Sequence, residues 1–220
     1  MKWELILLDL DGTLMDSAPG IIASVRHAYQ TLEIPEPSAQ TLAAFVGPPL
    51  QMSIQKHGVR ADQVDDFMAA YRQAFTAGGM YNNSVYAGIT DCLARLRAAW
   101  ARLGGATSKP EIYAQQICDR FELSPLVDYV FGASLDSSRV TKAKVIAHAL
   151  TTIEHTNAGL PERAKIIMVG DREHDALGAR EHQIDTVGVS WGYALPGELV
   201  AAGVVATVDT PGALADHLGA

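Results

Sequence analysis

Asp9 and Asp11, with one residue between them, stand in the string Asp9-Leu10-Asp11-Gly12-Thr13-Leu14. An apolar run, Trp3 and Leu5-Ile6-Leu7-Leu8, precedes them and reads as a short strand buried on both faces, as in a parallel sheet. Gly12 then breaks the strand. Two acids and a hydroxyl are thereby delivered to the end of a central strand, where open α/β sheets bind their ligands. Burying carboxylates this close together is costly unless a cation or a proton compensates, so the string points to a metal site with chemistry. A helix-loop-helix calcium loop is excluded: it needs Gly at its sixth position and an acid at its twelfth, which hold Leu14 and Gly20 here.

Other residues suit the same kind of site. Asp171 follows a second apolar strand, Lys165-Ile166-Ile167-Met168-Val169, and Asp175 lies one helical turn further on. Thr107 ends a third strand and Lys142 opens a helix. Taken singly, Lys142 beside Lys144 reads as a solvated lysine and Thr107 as a helix N-cap. Asp175 alone reads as an acid favouring a helix N-terminus. His174 reads as an orienting or exposed residue.

The elements that must position these groups follow from the pattern. Ser17 or Asp16 caps a helix with Pro19 in its first turn and an apolar face of Ile22, Val25, Tyr29 and Leu32. Helical stretches follow at 38–46, 50–56 and 62–77, separated by Gly47-Pro48-Pro49 and ended by Gly78-Gly79. Residues 16–83 thus read as an α-helical insert, and residues 1–15 with 84–220 as the α/β core. In the core, helix and strand alternate: helices at 90–101, 110–121 and 141–153, strands at 102–106, 129–131 and 165–169. Short edge strands are expected at 186–189 and 204–208. Repeated β-then-α units imply a parallel sheet with right-handed crossovers. The pair Gly104-Gly105 weakens the strand at 102–106 and puts its order in question. The polar stretch 154–161 reads as a surface loop.

Bulk properties narrow the function classes. The chain has 220 residues, 48% of them hydrophobic, and a formal charge of −8, with no basic run of the kind nucleic acid demands. No apolar segment approaches the ~18 residues of a membrane span, and the N-terminal apolar stretch is too short for a signal peptide. Cys92 and Cys118 fall in helical stretches without metal-type spacing, which fits reduced thiols and a cytoplasmic location.

Together the strings resemble the four signatures of the haloacid dehalogenase superfamily, in order and over nearly the whole chain. These are Asp9-Leu10-Asp11-Gly12-Thr13, Thr107 in Ala106-Thr107-Ser108-Lys109-Pro110, Lys142 in Arg139-Val140-Thr141-Lys142, and Asp171 with Asp175. The resemblance implies a Rossmann-like parallel core with an inserted helical cap. It implies Asp9 as nucleophile, Asp11 as acid and then base, and Thr13 holding Asp11 in place. Thr107, Ser108 and Lys142 would bind phosphate. Asp9, the Asp11 carbonyl and Asp171 would ligate Mg²⁺, with Asp175 in support. Four acids and a phosphate dianion bring about six negative charges together, which calls for such a cation. Phosphomonoester hydrolysis through an aspartyl-phosphate is the implied reaction.

A dehalogenase lacks an Asp at the position of Asp11. A phosphonate-cleaving member places a Schiff-base lysine soon after a Met-Gly pair, which Lys56 does not match. Gly47-Pro48-Pro49-Leu50, Gly132-Ala133-Ser134-Leu135-Asp136 and Gly170-Asp171-Arg172-Glu173-His174-Asp175 resemble bacterial small-molecule phosphatases acting on phosphoglycolate or nucleotides. The expected substrate is a nucleoside 5′-monophosphate, with phosphoglycolate the alternative. A phosphosugar mutase or a silent phosphate-binding module is further off. No nucleic acid or membrane partner is expected, and the chain would be a monomer or homodimer.

Overall fold

The computed structural model describes residues 2–220, which divide into two compact units, 2–15 with 85–220, and 16–84. The first unit is built on a six-stranded sheet with every neighbouring pair parallel. Its strands are β1 (Leu5–Leu8), β4 (Arg102–Pro110), β5 (Tyr129–Ala133), β6 (Ile166–Gly170), β7 (Asp185–Val189) and β8 (Ala206–Val208). Where the chain passes between the units, β2 (Met15–Asp16) pairs with β3 (Ser84–Val85).

The spatial order is β5-β4-β1-β6-β7-β8. β1 lies between β4 and β6, and the chain winds outward from it in both directions. That is the switch point at which open α/β sheets form their ligand crevice. All four β1 residues are fully buried, each contributing about 1.5–3 kcal/mol by that burial. Leu5 and Leu7 join Ile166, Met168 and the inner face of a helix running Lys142–Glu154, through Val145, Ile146, Ala149 and Leu150. Ile6 and Leu8 face the other side of the sheet by simple alternation.

The helices in chain order begin with α1 (Ala18–Thr31), α2 (Ala39–Ala43), α3 (Leu50–Lys56) and α4 (Val64–Thr76) in the second unit. In the first unit they are α5 (Ile89–Ala98), α6 (Glu111–Arg120), α7 (Lys142–Glu154), α8 (Glu173–Arg180), α9 (Glu198–Ala202) and α10 (Pro211–Leu218). The second unit has its own core, where Tyr29 meets Phe67 edge-on at 4.9 Å and its hydroxyl donates to His57 O. The buried face of α1 is Ile21, Ser24, Val25, Ala28 and Tyr29. Ile22 and Leu32 are only half-buried, because the packed stripe runs one residue ahead of the expected one. α2 is also shorter than the expected 38–46 helix, ending at Ala43, although Ser38 does cap it through Thr41 N.

Two expectations for the core are corrected. β7 is an interior strand between β6 and β8, and the edges are β5 and β8. The segment with Gly104-Gly105 is the longest strand of the sheet, and pairing with β1 on one side and β5 on the other supplies the order its side chains do not. Helices α9 and α10 close the chain and were not anticipated. Residues 155–162 do form a surface connection, with Arg102 Nη1 donating to Gly159 O at 2.7 Å.

A Cβ on Gly105 would meet its neighbours at 3.7 Å, ordinary van der Waals contact, whereas one on Gly132 would overlap Lys109 O and the Glu111 backbone. Gly105→Ala should therefore stabilise the protein by about 0.5–1 kcal/mol, a rise of roughly 1–4 °C in melting temperature, and Gly132→Ala should lower it. Thermal melts of both variants check this. A lower melting temperature for Gly105→Ala would show that β4 has no room at that position.

Candidate active site

The site lies at the C-terminal ends of β1, β4 and β6 and at the first turn of α7, all within the first unit. The turn after β1 is wound around one acceptor: the amides of Thr13, Leu14 and Met15 all donate to Leu10 O. Gly12 takes φ of 84° and its amide donates to Met15 O at 2.8 Å. A side chain there would be strained and would overlap the Asp171 carboxylate. The Asp11 carbonyl accepts none of the turn's backbone bonds and is left as a possible ligand.

Lys142 is the hub. Its buried ammonium reaches Asp9 Oδ1 at 2.8 Å, Asp175 Oδ1 at 2.7 Å and Ala106 O at 2.8 Å, one partner for each of its three protons. Burial alone would lower its pKa, but Asp175 and Asp9 outweigh that and raise it. The helix that carries it is capped by Thr141, whose hydroxyl accepts from Lys144 N. Asp9 Oδ1 also accepts from Leu10 N at 2.7 Å, and its Oδ2 carries no hydrogen bond among the described residues.

A second lysine, Lys109, performs the corresponding task for Asp11. Its Nζ lies 2.9 Å from Asp11 Oδ2, with both side chains largely buried, while Asp11 Oδ1 is buried without a hydrogen-bond partner among the described residues. The position of Lys109 in Ala106-Thr107-Ser108-Lys109-Pro110 carries no local signal for this role. Thr13 does not hold Asp11 as expected. Its hydroxyl donates instead to Asp171 Oδ1 at 3.2 Å, and Lys109 is the ion-pair partner of Asp11.

Thr107 is buried in the second half of β4, where the register with β5 shifts, and its Oγ1 accepts from Lys109 N at 3.3 Å. Ser108 Oγ is buried next to it with no hydrogen-bond partner among the described residues. Glu111, at the start of α6, accepts from Gly132 N and from Arg139 Nη2, each at 3.0 Å, and so ties the β4 turn to the segment leading into α7. Asp171 and Asp175 are fully buried. Asp175 Oδ1 lies 2.7 Å from Lys142 Nζ, and its Oδ2 accepts from Arg172 N at 3.1 Å. His174 is half-buried, its pKa lowered by that burial, and is not part of the acid group.

Asp9, Asp171 and Asp175 bring carboxylate oxygens within 4.8 Å of one another. Burial, followed by the charges of Asp175 and Asp9, pushes the Asp171 carboxyl well above its usual range. No ion pair reaches Asp171 among the described residues. Burial also raises Asp9 from 3.8 to about 7, against the opposing pull of Lys142. Four carboxylates face two ammonium groups, so the fully ionised pocket is short of two positive charges. Oxygen donors only, with that deficit, fit Mg²⁺.

A raised carboxyl pKa means that the folded state holds a proton the unfolded chain would release. Stability from this group therefore falls as pH rises from about 4 to about 7. Mg²⁺ competes with those protons, so it should raise the melting temperature more at pH 7 than at pH 5. An equal or larger gain at pH 5 would remove the basis for a cation bound by these acids.

The haloacid dehalogenase-like hydrolase family model matches residues 6–189. A tyrosine-protein kinase PtkA of Mycobacterium tuberculosis is 43% identical over 86% of this chain, and the chain spans only 63% of that relative's length. A 5′-nucleotidase of Pseudomonas aeruginosa is 36% identical over 90% of this chain and 88% of its own. The crystal structure of a predicted phosphatase from Clostridium acetobutylicum superposes with a TM-score of 0.89 at 34% identity, covering 98% of each chain. With the match spanning most of the parallel core and the turns that carry these acids, the chain belongs to the haloacid dehalogenase-like hydrolase family.

Proposed function

We propose that the protein is a Mg²⁺-dependent phosphatase that hydrolyses a small-molecule phosphomonoester through a phosphoenzyme on Asp9. The observation that carries this reading is the division of labour among the buried acids. Among the described residues, Asp9 keeps Oδ2 free of hydrogen bonds, while Asp11 is held by a different cation and keeps Oδ1 without a hydrogen-bond partner. A nucleophile and a proton carrier need such independent environments.

Asp9 Oδ2 attacks phosphorus, the bond from phosphorus to the ester oxygen breaks, and the leaving oxygen takes a proton from Asp11 through Oδ1. Water then attacks the phosphorus of the phosphoenzyme and gives a proton back to Asp11. The bond to Asp9 breaks, releasing inorganic phosphate. Asp9, Asp171 and the Asp11 carbonyl would hold Mg²⁺, which when bound neutralises charge on the phosphoryl oxygens. Thr107 and Ser108 offer hydroxyls, and the β4 turn its amides, to the same oxygens. Lys142 holds the Asp9 carboxylate in line, and exchange of its bond to Ala106 O would free a proton for phosphate.

The proposed substrate is a nucleoside 5′-monophosphate, with phosphoglycolate the alternative. The helical unit, read as residues 16–83, is assigned the role of cap and the choice of leaving group. The Pseudomonas aeruginosa relative, named a 5′-nucleotidase and similar over nearly its full length, supports the nucleotide preference. The kinase name of the Mycobacterium tuberculosis relative favours a second reading, in which a tyrosine hydroxyl replaces water as acceptor.

The test is a panel of nucleoside monophosphates, phosphoglycolate and p-nitrophenyl phosphate, with labelled ATP plus a tyrosine peptide as the transfer arm. We expect Mg²⁺-dependent phosphate release, fastest from a nucleotide and abolished by EDTA. Asp9→Asn should lower it at least about a thousandfold with the melting temperature retained. Retention of about a tenth of the activity by Asp9→Asn would rule out the phosphoenzyme. Label on the peptide without phosphate release would favour the transfer reading.

A further inference from the structure

The connection between β7 and α9 carries none of the motifs used above, yet it touches the acid group in three places. Trp191 Nε1 donates to Thr13 O at 3.0 Å. Tyr193 N donates to Asp171 Oδ2 at 2.7 Å. Gly192 packs between these two contacts, so close that a Cβ on it would overlap both Asp171 Cβ and Gly12 O. Asp171 is therefore confined between two glycines, Gly12 from the β1 turn and Gly192 from this connection.

Both ends of the segment are anchored. Ser190 N donates to Val208 O at 3.0 Å, fastening the start to β8. At the other end Glu198 collects three donors: Arg172 Nε at 2.7 Å, Glu173 N at 2.9 Å and Leu195 N at 2.9 Å. The Arg172–Glu198 ion pair is largely screened from solvent, and Arg172 directly follows Asp171. Burial would raise the Glu198 pKa, but the bonds from Arg172 and the two amides outweigh it and keep the carboxyl below its usual range.

We infer that residues 190–193 are a strap that sets the Asp171 carboxylate against the turn carrying the Asp11 carbonyl, with Trp191 and Gly192 as positioning residues for a divalent cation. This rests on reading the acid pocket as a Mg²⁺ centre. Mg²⁺ demands near-octahedral oxygen ligands at roughly 2.0–2.1 Å, so small displacements between two ligand-bearing turns are costly. β1 and β6 are paired in register, but their turns lie beyond that ladder. The Thr13 hydroxyl joins the turns through a bond of 3.2 Å to Asp171 Oδ1. Trp191 grips the same residue from its carbonyl side, and Tyr193 N occupies the other oxygen of Asp171. Each oxygen of Asp171 thus has one donor and one lone pair left for a metal.

The test is calorimetric titration of Mg²⁺ into the intact metal-free protein, which needs no turnover. Trp191→Phe keeps an aromatic ring and removes the N–H. Its Mg²⁺ Kd should rise about tenfold or more, in the range found when groups that orient metal ligands are removed. Its metal-free melting temperature should stay within about 4 °C of wild type, as expected for one lost hydrogen bond. Trp100→Phe, at an exposed tryptophan on the surface, should bind Mg²⁺ as wild type does. Gly192→Ala should weaken binding further. If that variant fails to fold, Trp191→Phe decides alone. A Trp191→Phe protein whose Kd lies within about twofold of wild type would overturn the strap. Wild-type protein that binds no Mg²⁺ would overturn the strap and the metal reading together. Binding without phosphatase turnover would overturn the proposed reaction and leave the strap standing.

Discussion

The structure is organised around a shortage of positive charge. Asp9, Asp11, Asp171 and Asp175 converge in a buried pocket, and two ammonium groups answer them. Carboxylates in such a place ionise only against a compensating cation, or else they hold protons, as the raised pKa values of Asp9 and Asp171 express. The missing charge equals that of one divalent ion. Lys142 joins Asp9 to Asp175, Lys109 joins Asp11, and Asp171 is left to hydrogen bonds from Thr13 and Tyr193. Among the described residues, Asp171 is the acid of this group that no ion pair reaches.

Holding like charges together requires a rigid and strongly apolar frame. β1 supplies it, buried on both faces and flanked by β4 and β6, so three turns open at one edge of the sheet. The apolar side of α7 packs under the same strands, which fixes the height of Lys142 at its first turn. Glu111 and Arg139 add a polar tie between the β4 turn and the approach to α7. Cys92 and Cys118 belong to this frame only as packing, buried and with thiol pKa values pushed up to about 11 and about 12 by that burial.

Much of the frame is legible in the sequence because its signals are local. Apolar runs such as Leu5–Leu8 and Ile166–Val169 announce buried strands, and an acid directly after each is an expensive choice for a mere turn. Gly104 and Gly105 mislead for a related reason. Local propensity counts against them, but β4 takes its order from pairing on both sides, which single-residue preference does not register. β7 looks like an edge strand because it is short. The later arrival of β8 beside it makes it interior.

What the sequence by itself determined is the set of acids, their places at strand ends and the alternation that yields a parallel sheet, since each rests on neighbours within a few residues. Who holds whom was decided only by the tertiary structure. Thr13 serves Asp171 and leaves Asp11 to Lys109, and Trp191 reaches back across 178 residues to the first turn. These pairings depend on the relative height of turns from different strands. Sheet register and helix packing set those heights, and no spacing along the chain encodes them.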